Sequence, residues 1–452
     1  MNGPIGSPNI VDVIPQQWAA IVEAMERLAP SDPYLPWEEI RRQPQPAGIS
    51  HEAWWSALKM ARASRLQAVP LHDRRGNPFK FNMPHEVLAT LHELDRQGGS
   101  APVGPRGVER LAASARLEEA ISSAQLAGAD TGYDVAKEML RTGRAPRGRS
   151  ERMVANHDRA LQRAAEFRDR ALSSEILLGL HQCLTEGALD DAGAVGRFRS
   201  QGEGAPVLEE DGMIRPEPPP ARELPERMEA MCAFANGQTP AYFIHPAIRA
   251  MILHFWLAHD RPFLGGNGRA ARVLFLWAML RQGYRLAEFV SISSVLRRAP
   301  ARYARAFLLV ETDENDLTYF LLHQAEVLRT AEADLRRDVR RSTQEVAEAE
   351  QRLRGFAELN PRQQVLIAHA LRKPETRYRI ANHQHSHGVT HQTARDDLFD
   401  LAQRELLTVG REGRVYVFCA PGDLTQRLRA EAKHRRQRKE AGEADELPTA
   451  LR

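Results

Sequence analysis

Cysteine is nearly absent from this chain. Only three occur among 452 residues, Cys183, Cys232 and Cys419. They are far apart and form no Cys-x-x-Cys pair, which argues against a zinc site or a disulfide framework. The cysteine usage therefore predicts a protein of a reducing compartment.

Long hydrophobic runs and a strong net charge are missing as well. No stretch approaches the roughly 20 apolar residues of a membrane helix, and the N-terminal residues lack the basic start and apolar run of a signal peptide. The 62 basic and 59 acidic residues leave a net charge of +3, too small to indicate a nucleic acid or membrane partner. We expect a soluble, cytoplasmic protein of bacterial type with no membrane partner.

Regular helical periodicity is what the chain does contain. Apolar residues recur at spacings of three and four in the segments 134–141, 153–172, 223–236, 246–258, 270–282 and 317–330, which predicts a mainly α fold. Two short strands within 69–81, joined by Arg75, Gly76 and Asn77, are predicted as a hairpin. A length of 452 residues predicts two to four domains.

The segment with the clearest chemical meaning lies between two apolar helices and runs from Arg261 to Arg272. Its glycines, Gly266 and Gly268, let the backbone approach a ligand and expose its N–H groups. The following helix, predicted from about Arg269, directs its positive end at the same place. Arg269 and Arg272 are three residues apart and share one helix face. Paired guanidiniums beside exposed amides suit a polyphosphate.

The same segment resembles the signature of the Fic (filamentation induced by cAMP) family within the Fic/DOC superfamily, His-x-Phe-x-Asp/Glu-Gly-Asn-Gly-Arg-x-x-Arg. The matching residues are Phe263, Gly266, Asn267, Gly268, Arg269 and Arg272. The resemblance implies a Fic-type helical bundle that transfers AMP from ATP to a hydroxyl of a target protein. It also implies that the six matching residues contact the nucleotide, with Arg272 at its terminal phosphate.

Two positions depart from the family pattern. Arg261 stands where the family has its catalytic His, and a guanidinium stays protonated at any working pH, so it cannot act as the base. Gly265 stands where the family has the acidic Mg²⁺ ligand, so no metal ligand is assigned and use of Mg²⁺ is disfavoured. We expect altered or reduced catalysis, with ATP as ligand or substrate and Arg261 replacing part of the missing positive charge.

Residues just ahead of the motif leave an alternative open. His259 and Asp260 are candidates for a displaced base and a displaced metal ligand. The competing interpretation is that His259 is a histidine at a helix C-terminus that hydrogen-bonds free carbonyls.

A second resemblance lies upstream. Many Fic proteins carry an inhibitory helix with the pattern Ser/Thr-x-x-x-Glu-Gly/Asn, whose Glu pairs with the second motif Arg. Ser123 and Gly128 fit this pattern, but Ala127 replaces the Glu. The resemblance therefore implies that the inhibitory contact is lost. The alternative is that 117–127 is a plain packing helix.

The stretch 196–221 lacks helical periodicity and is rich in Gly, Pro and Glu. Its place matches the Fic β-hairpin flap, which holds the target segment by strand-like pairing. A plain surface loop is the alternative.

Residues 359–421 resemble a winged helix-turn-helix domain, with three predicted helices and a two-stranded wing. DNA binding is disfavoured, because the third predicted helix and its end carry four acids, Asp396, Asp397, Asp400 and Glu405. Docking to a protein or to a second copy of the chain is favoured. A loose group of histidines raises metal binding as a weaker alternative; its members are His383, His385, His387 and His391.

The predicted organisation has five parts: an N-terminal Fic-associated region (1–100), the Fic domain (101–330), a polar helical linker (331–358), the winged helix domain (359–421) and a charged tail (422–452). Two functions stay open. The first is a divergent, ATP-binding protein adenylyltransferase. The second is a catalytically inactive nucleotide-binding regulatory module that acts through its winged helix domain.

Overall fold

A computed structural model describes residues 21–22, 33–46, 48–97, 105–203, 217–353, 359–372, 376–413, 415–424 and 426–428. The chain divides into two compact units, residues 1–336 and 337–452. Helices predominate and the described sheets are small and antiparallel, so the predicted mainly α fold is confirmed. No helix among the described residues is long and apolar enough to cross a membrane.

The first unit is built from helices. In chain order they are α1 (Trp37–Ile40), α2 (His51–Ala63), α3 (His85–Gln97), α4 (Pro105–Leu126), α5 (Tyr133–Thr142), α6 (Arg149–Glu166), α7 (Ser174–Thr185), α8 (Leu224–Ala235), α9 (Pro246–Asp260), α10 (Asn267–Arg281), α11 (Ile292–Arg298), α12 (Pro300–Thr312) and α13 (Thr318–Leu353), of which the residues up to 336 belong to this unit. Short 3₁₀ helices cover Ala192–Ala194, Ala221–Glu223 and Arg285–Glu288.

Helices α9 and α10 form the centre of this unit. Nearly every side chain of both is buried, and the buried set includes the charged Arg269 and Arg272. Helix α9 begins with Pro246 after His245, whose ring accepts a hydrogen bond from the N–H of Ala247 (3.3 Å). Proline is well placed there because its missing N–H would have no partner in the first turn. The motif between the two helices is therefore held by the most deeply buried part of the unit.

One hairpin accompanies the helices. Strand β1 (Gln67–His72) pairs antiparallel with β2 (Pro78–Phe81), which confirms the predicted hairpin. Gly76 adopts a left-handed φ of 81° in its turn, a conformation that glycine adopts without strain. The predicted flap falls mostly on 204–216, which lie outside the described residues.

The second unit contains α14 (Pro361–Arg372), β3 (Arg377–Tyr378), α15 (Ile380–His387), α16 (His391–Gln403), β4 (Thr408–Glu412) and β5 (Val415–Cys419). The strands form one antiparallel sheet in the order β3-β5-β4. Its core is apolar, with Ile367, Leu398 and Phe418 fully buried. The predicted order of three helices followed by a hairpin is observed, but the second helix begins at Ile380 rather than Thr376, after strand β3, and the third ends at Gln403 rather than Leu407. Membership in the winged helix class stays a prediction.

The acidic residues near α16 do not all face solvent. Asp397 is 5% exposed and binds Arg362 (2.7 Å) and His383 (3.1 Å). Glu405 lies beyond the end of the helix. The exposed acidic face is therefore smaller than the sequence indicated. The negative charge near α16 is then a weaker argument against DNA binding.

Several element bounds differ from the predicted ones. Helix α10 begins at Asn267, two residues before the predicted start, because Gly266, in a left-handed conformation, is its N-cap. Helix α6 ends at Glu166, and the separate helix α7 follows it within a segment where none was predicted. The predicted linker 331–358 begins inside α13, which is continuous from Thr318 to Leu353.

Candidate functional site

The motif begins where α9 ends. Arg261 adopts a left-handed conformation (φ 43°), and its N–H bonds the carbonyl of Leu257 at 3.1 Å. Non-glycine residues rarely adopt this conformation, and the helix end then depends on the surroundings to hold it. Arg199 supplies that support, because its Nε donates to the Arg261 carbonyl (2.8 Å) and its backbone N–H donates to the Pro262 carbonyl (2.9 Å).

The turn into α10 is shaped by Gly266. Its φ is 79°, and a Cβ there would lie 3.0 Å from Cγ2 of Thr185. Both the backbone conformation and the lack of space require glycine at this position. Gly265 is not among the residues with positive φ.

Asn267 is used by the turn itself. Its Oδ1 accepts a hydrogen bond from the Phe263 N–H (3.0 Å), and its Nδ2 donates to the Phe263 carbonyl (2.9 Å). The side chain thus closes the loop from Phe263 to the start of α10. A phosphate contact from Asn267 would therefore come from its backbone N–H. The sequence predicted a contact from Asn267 without distinguishing its side chain from its backbone.

Phe263 anchors the motif in the core. It is fully buried, and its ring stacks on His181 with centroids 3.7 Å apart and planes 2° apart. Phe198 stacks against it as well, at 5.6 Å. The ring is therefore enclosed by protein, although the sequence placed it among the nucleotide contacts.

The start of α10 offers backbone donors to a ligand. No side chain caps it, and the first N–H groups of any helix lack partners within the helix. The first two of these groups belong to Asn267 and Gly268, which the sequence singled out together with Arg269. The helix dipole adds partial positive charge at the same point.

Both motif arginines are buried beside this helix start. Arg269 has no exposed surface and donates from Nη1 to the Leu184 carbonyl (3.2 Å). Arg272 is 2% exposed, and a Cβ on Gly268 would lie 3.2 Å from its Nη1. The guanidinium of Arg272 therefore lies against the glycine turn.

Helix α4 holds Arg272 through a serine. Nε of Arg272 donates to the Ser123 hydroxyl (2.7 Å), and Nη2 donates to the Ser123 carbonyl (3.0 Å). Within the described part of the chain no carboxylate pairs with Arg272. Ala127, at the position of the inhibitory Glu, is 8% exposed and carries no charge, and Gly128 follows it with a φ of 86°.

His259 and Asp260 have partners outside the motif. The ring of His259 contacts those of Phe79 and Phe255, with centroids 4.9 and 5.6 Å away, and its Nδ1 lies 3.5 Å from Glu311. Asp260 is fully buried. It accepts from Trp256 (3.0 Å) and pairs with Arg227 (2.6 Å). These contacts favour structural roles over those of a substitute base and metal ligand.

His181 was not identified from the sequence, although it fixes the motif. Its Nδ1 accepts from the Gly196 N–H (3.2 Å), so the proton is on Nε2, which lies 3.0 Å from the Gly265 carbonyl. Burial is the main cause that lowers the pKa of His181 to about 4; the hydrogen bond to the Gly265 carbonyl opposes this shift, and the charge of Arg269 adds to it. No sequence pattern connects His181 with a turn 84 residues away.

His157 on α6 was also not singled out. It is fully buried, and neither ring nitrogen has a hydrogen-bond partner among the described residues. Burial lowers its pKa well below the ordinary value, and the charges of Arg272 and Arg269 act in the same direction. A neutral imidazole therefore lies beside the two motif guanidiniums.

The residues near the motif do not fit a divalent metal. Mg²⁺ is bound through one or two carboxylates together with phosphate oxygens. Gly265 has no side chain, and the carboxylate of Asp260 is occupied by Arg227. In the described ranges no three His, Cys, Asp or Glu side chains are grouped so that they could hold a metal ion, and this includes the histidines near α15.

The segment that contains the motif is similar to known proteins of one family. Residues 171–279 match the model of the Fic/DOC family. The chain is similar to the structure of a Fic family protein from Desulfovibrio desulfuricans G20, with 20% identity, coverage of 74% of this chain and 95% of that chain, and a TM-score of 0.50. The structure of Fic-1 from C. elegans (residues 134–508) also matches, with 19% identity, coverage of 76% and 90%, and a TM-score of 0.47. At these identities the first similarity supports the fold alone.

Proposed function

We propose that this chain is a divergent, ATP-binding Fic protein, because residues 171–279 match the model of the Fic/DOC family. It holds the phosphates of ATP at the turn between α9 and α10. As a protein adenylyltransferase, which is the general activity of Fic proteins, it has altered or reduced catalysis.

The observation that carries this proposal is the environment of Arg272. A guanidinium that is 2% exposed and has only neutral hydrogen-bond partners among the described residues is unfavourable, since a buried cation needs a counter-charge. The backbone donors at the start of α10 lie next to it. A phosphate bound there would supply the missing negative charge and satisfy those donors together.

Reduced catalysis follows from the residues present. In AMP transfer a hydroxyl oxygen of the target bonds to the α-phosphorus, pyrophosphate leaves, and the hydroxyl proton must be taken up. Arg261 cannot take it, because a guanidinium remains protonated. Losing a general base lowers the rate by about a hundred- to ten-thousandfold. Fic proteins generally use Mg²⁺ with ATP, but this motif supplies no carboxylate for it, so no step is assigned to a metal here.

The second candidate function is a catalytically inactive regulatory module. Arg261 stands in place of the catalytic base, and Gly265 stands in place of the metal ligand. Arg269 and Arg272 are retained, so the motif keeps the groups that bind phosphate but not those that catalyse transfer. The second compact unit would then dock to a protein partner or a second copy of the chain.

Titration calorimetry with ATP tests the proposal. The full chain should bind ATP with and without Mg²⁺ at similar affinity, and Arg272→Gln should weaken binding by about tenfold or more, the loss of one charged hydrogen-bonding group. Absence of ATP binding in both conditions would overturn the proposal.

A second measurement separates the two candidates. Incubation with ATP labelled at the α-phosphate, in a protein mixture, detects AMP transfer. Slow labelling that Arg272→Gln removes supports the divergent enzyme. ATP binding without labelling, beside an active Fic enzyme as positive control, supports the regulatory module.

A further inference from the structure

A cavity of about 290 Å³, with the motif residue Arg272 in its wall, lies between α4, α6, α10 and the segment 287–292. Its wall is mainly apolar, with Leu161, Phe275, Leu280 and Ile292 among the lining side chains. Alanines at 112, 115, 165 and 287 leave the space open. A cavity close to 300 Å³ is at the lower end of the range that holds small organic ligands.

The cavity is connected with the motif along two helices. Ala112, Ala115 and Glu119 line it from α4, and spacings of three and four place them on one face. Ser123, four residues after Glu119, continues that face. From α10 the lining runs from Leu280 back to Arg272. The bond between Ser123 and Arg272 therefore lies at one end of the cavity.

The charged groups of the lining favour an anionic ligand. The lining contains three arginines (Arg116, Arg168, Arg272) and two glutamates (Glu119, Glu288). The carboxylate of Glu119 already accepts from the hydroxyl of Ser291 (2.7 Å) and the N–H of Ser293 (2.9 Å).

The arginines differ in how far their charge is compensated. Arg116 pairs with Asp158 at 2.9 Å, and Arg168 lies 3.9 Å from Glu288. Arg272 is bonded, within the described ranges, to the neutral oxygens of Ser123. It is thus the cation of the wall whose charge is least compensated.

We propose that this cavity is a binding site for a small carboxylic acid with an apolar body. The apolar part fills the space between α4, α6 and α10, and the carboxylate pairs with Arg272 in place of Ser123. Occupancy would release one end of α4 from the motif helix. The site is separate from the proposed ATP site and shares only Arg272 with it.

The probe is 2-naphthylacetate, and its amide is the neutral control. Calorimetry or ligand-observed NMR on the full chain, with no nucleotide present, should show that the acid binds at least about tenfold more tightly than the amide, the loss expected for one charged hydrogen bond. Absence of acid binding, or equal binding of acid and amide, would overturn the proposal.

Paired variants locate the site. Ala115→Trp places an indole inside the cavity and should abolish binding of the acid. Ala113→Trp, on an exposed position of the same helix, should leave binding unchanged. Equal binding to both variants would show that the acid lies elsewhere and would refute the site.

A third variant tests the charge contact. Arg272→Gln should weaken binding of the acid until its affinity equals that of the amide. The affinity of the amide should not change. Thermal melting of each variant shows that it is folded. An acid that binds Arg272→Gln and the natural chain equally would refute the pairing with Arg272. Because no ATP is used, these outcomes do not depend on the proposed nucleotide site.

Discussion

Arg272 donates two hydrogen bonds to one residue, Ser123, through the hydroxyl and the backbone carbonyl. The bonds join the second turn of α10 to the end of α4, 149 residues earlier in the chain. The helix that resembles an inhibitory element therefore still holds the second motif arginine, although Ala127 has replaced its acid.

Ser123→Ala should change stability and ATP response in opposite directions. Without ATP, Nε of Arg272 loses its acceptor, which should lower the free energy of unfolding by about 1–3 kcal/mol. With ATP, we expect a larger stabilisation than in the natural chain, because Arg272 no longer has to leave the hydroxyl. Urea unfolding with and without ATP measures both effects. Ser122→Ala is the matched control, since the Ser122 hydroxyl donates to Glu118 (3.0 Å). The same ATP response in both variants would refute the prediction.

Ala127→Glu should restore an inhibitory contact. A carboxylate one turn beyond Ser123 would pair with Arg272 and oppose a phosphate there, so the Kd for ATP should rise by about tenfold, the scale of one charged contact. The glutamine of Ala127→Gln has nearly the same shape as glutamate but no charge, so this variant should raise the Kd for ATP much less. Calorimetry compares the two variants. If Glu and Gln have equal effects, the added side chain acts by bulk rather than by charge.

The double variant Arg261→His with Gly265→Asp should gain AMP transfer. It restores a general base, which contributes about a hundred- to ten-thousandfold, and a carboxylate for Mg²⁺. Gly265 does not have the positive φ that would oppose a side chain. Labelled ATP and mass spectrometry of modified proteins measure the gain.

The control for this variant is Arg261→His with Gly266→Asp. Its carboxylate would be at a left-handed position, against Thr185, so no gain is expected. If the variant Arg261→His with Gly265→Asp binds ATP but is as inactive as this control, AMP transfer requires further groups that the chain lacks.

His181 makes the stability of the chain depend on pH. Its folded pKa of about 4 lies below the unfolded value of about 6.5, so the unfolded state binds more protons between these values. The contribution of the neutral His181 to the free energy of unfolding is fully present above about pH 6.5. It is lost as the pH falls toward 4, by an amount on the order of 3 kcal/mol. In His181→Gln, which can still donate to the Gly265 carbonyl, the loss between pH 7 and 5 should be smaller than in the natural chain.

Urea unfolding at both pH values measures this difference. His85→Gln changes an exposed histidine and serves as control. If His181→Gln loses as much stability as the natural chain, the buried imidazole does not account for the pH response.

The local parts of the structure could be predicted from local patterns. The hairpin β1–β2 and the helices around the motif follow from apolar spacing and glycine placement. Residues 171–279 match the family that the segment from Phe263 to Arg272 resembles. The missed helix α7 and the early start of α10 show the limit of this approach, since helix ends depend on turns and caps more than on apolar period.

The sequence by itself determined which chemistry is missing. Arg261 cannot be a base and Gly265 cannot bind a metal through a side chain in any fold, because these are properties of the residues themselves. Only the tertiary structure decided the partners: that Asn267 closes onto Phe263, that Asp260 is neutralised by Arg227, that His181 supports Gly265, and that Ser123 holds Arg272. Hydrogen bonds and burial between segments up to 149 residues apart depend on how helices pack, and no spacing along the chain records that packing.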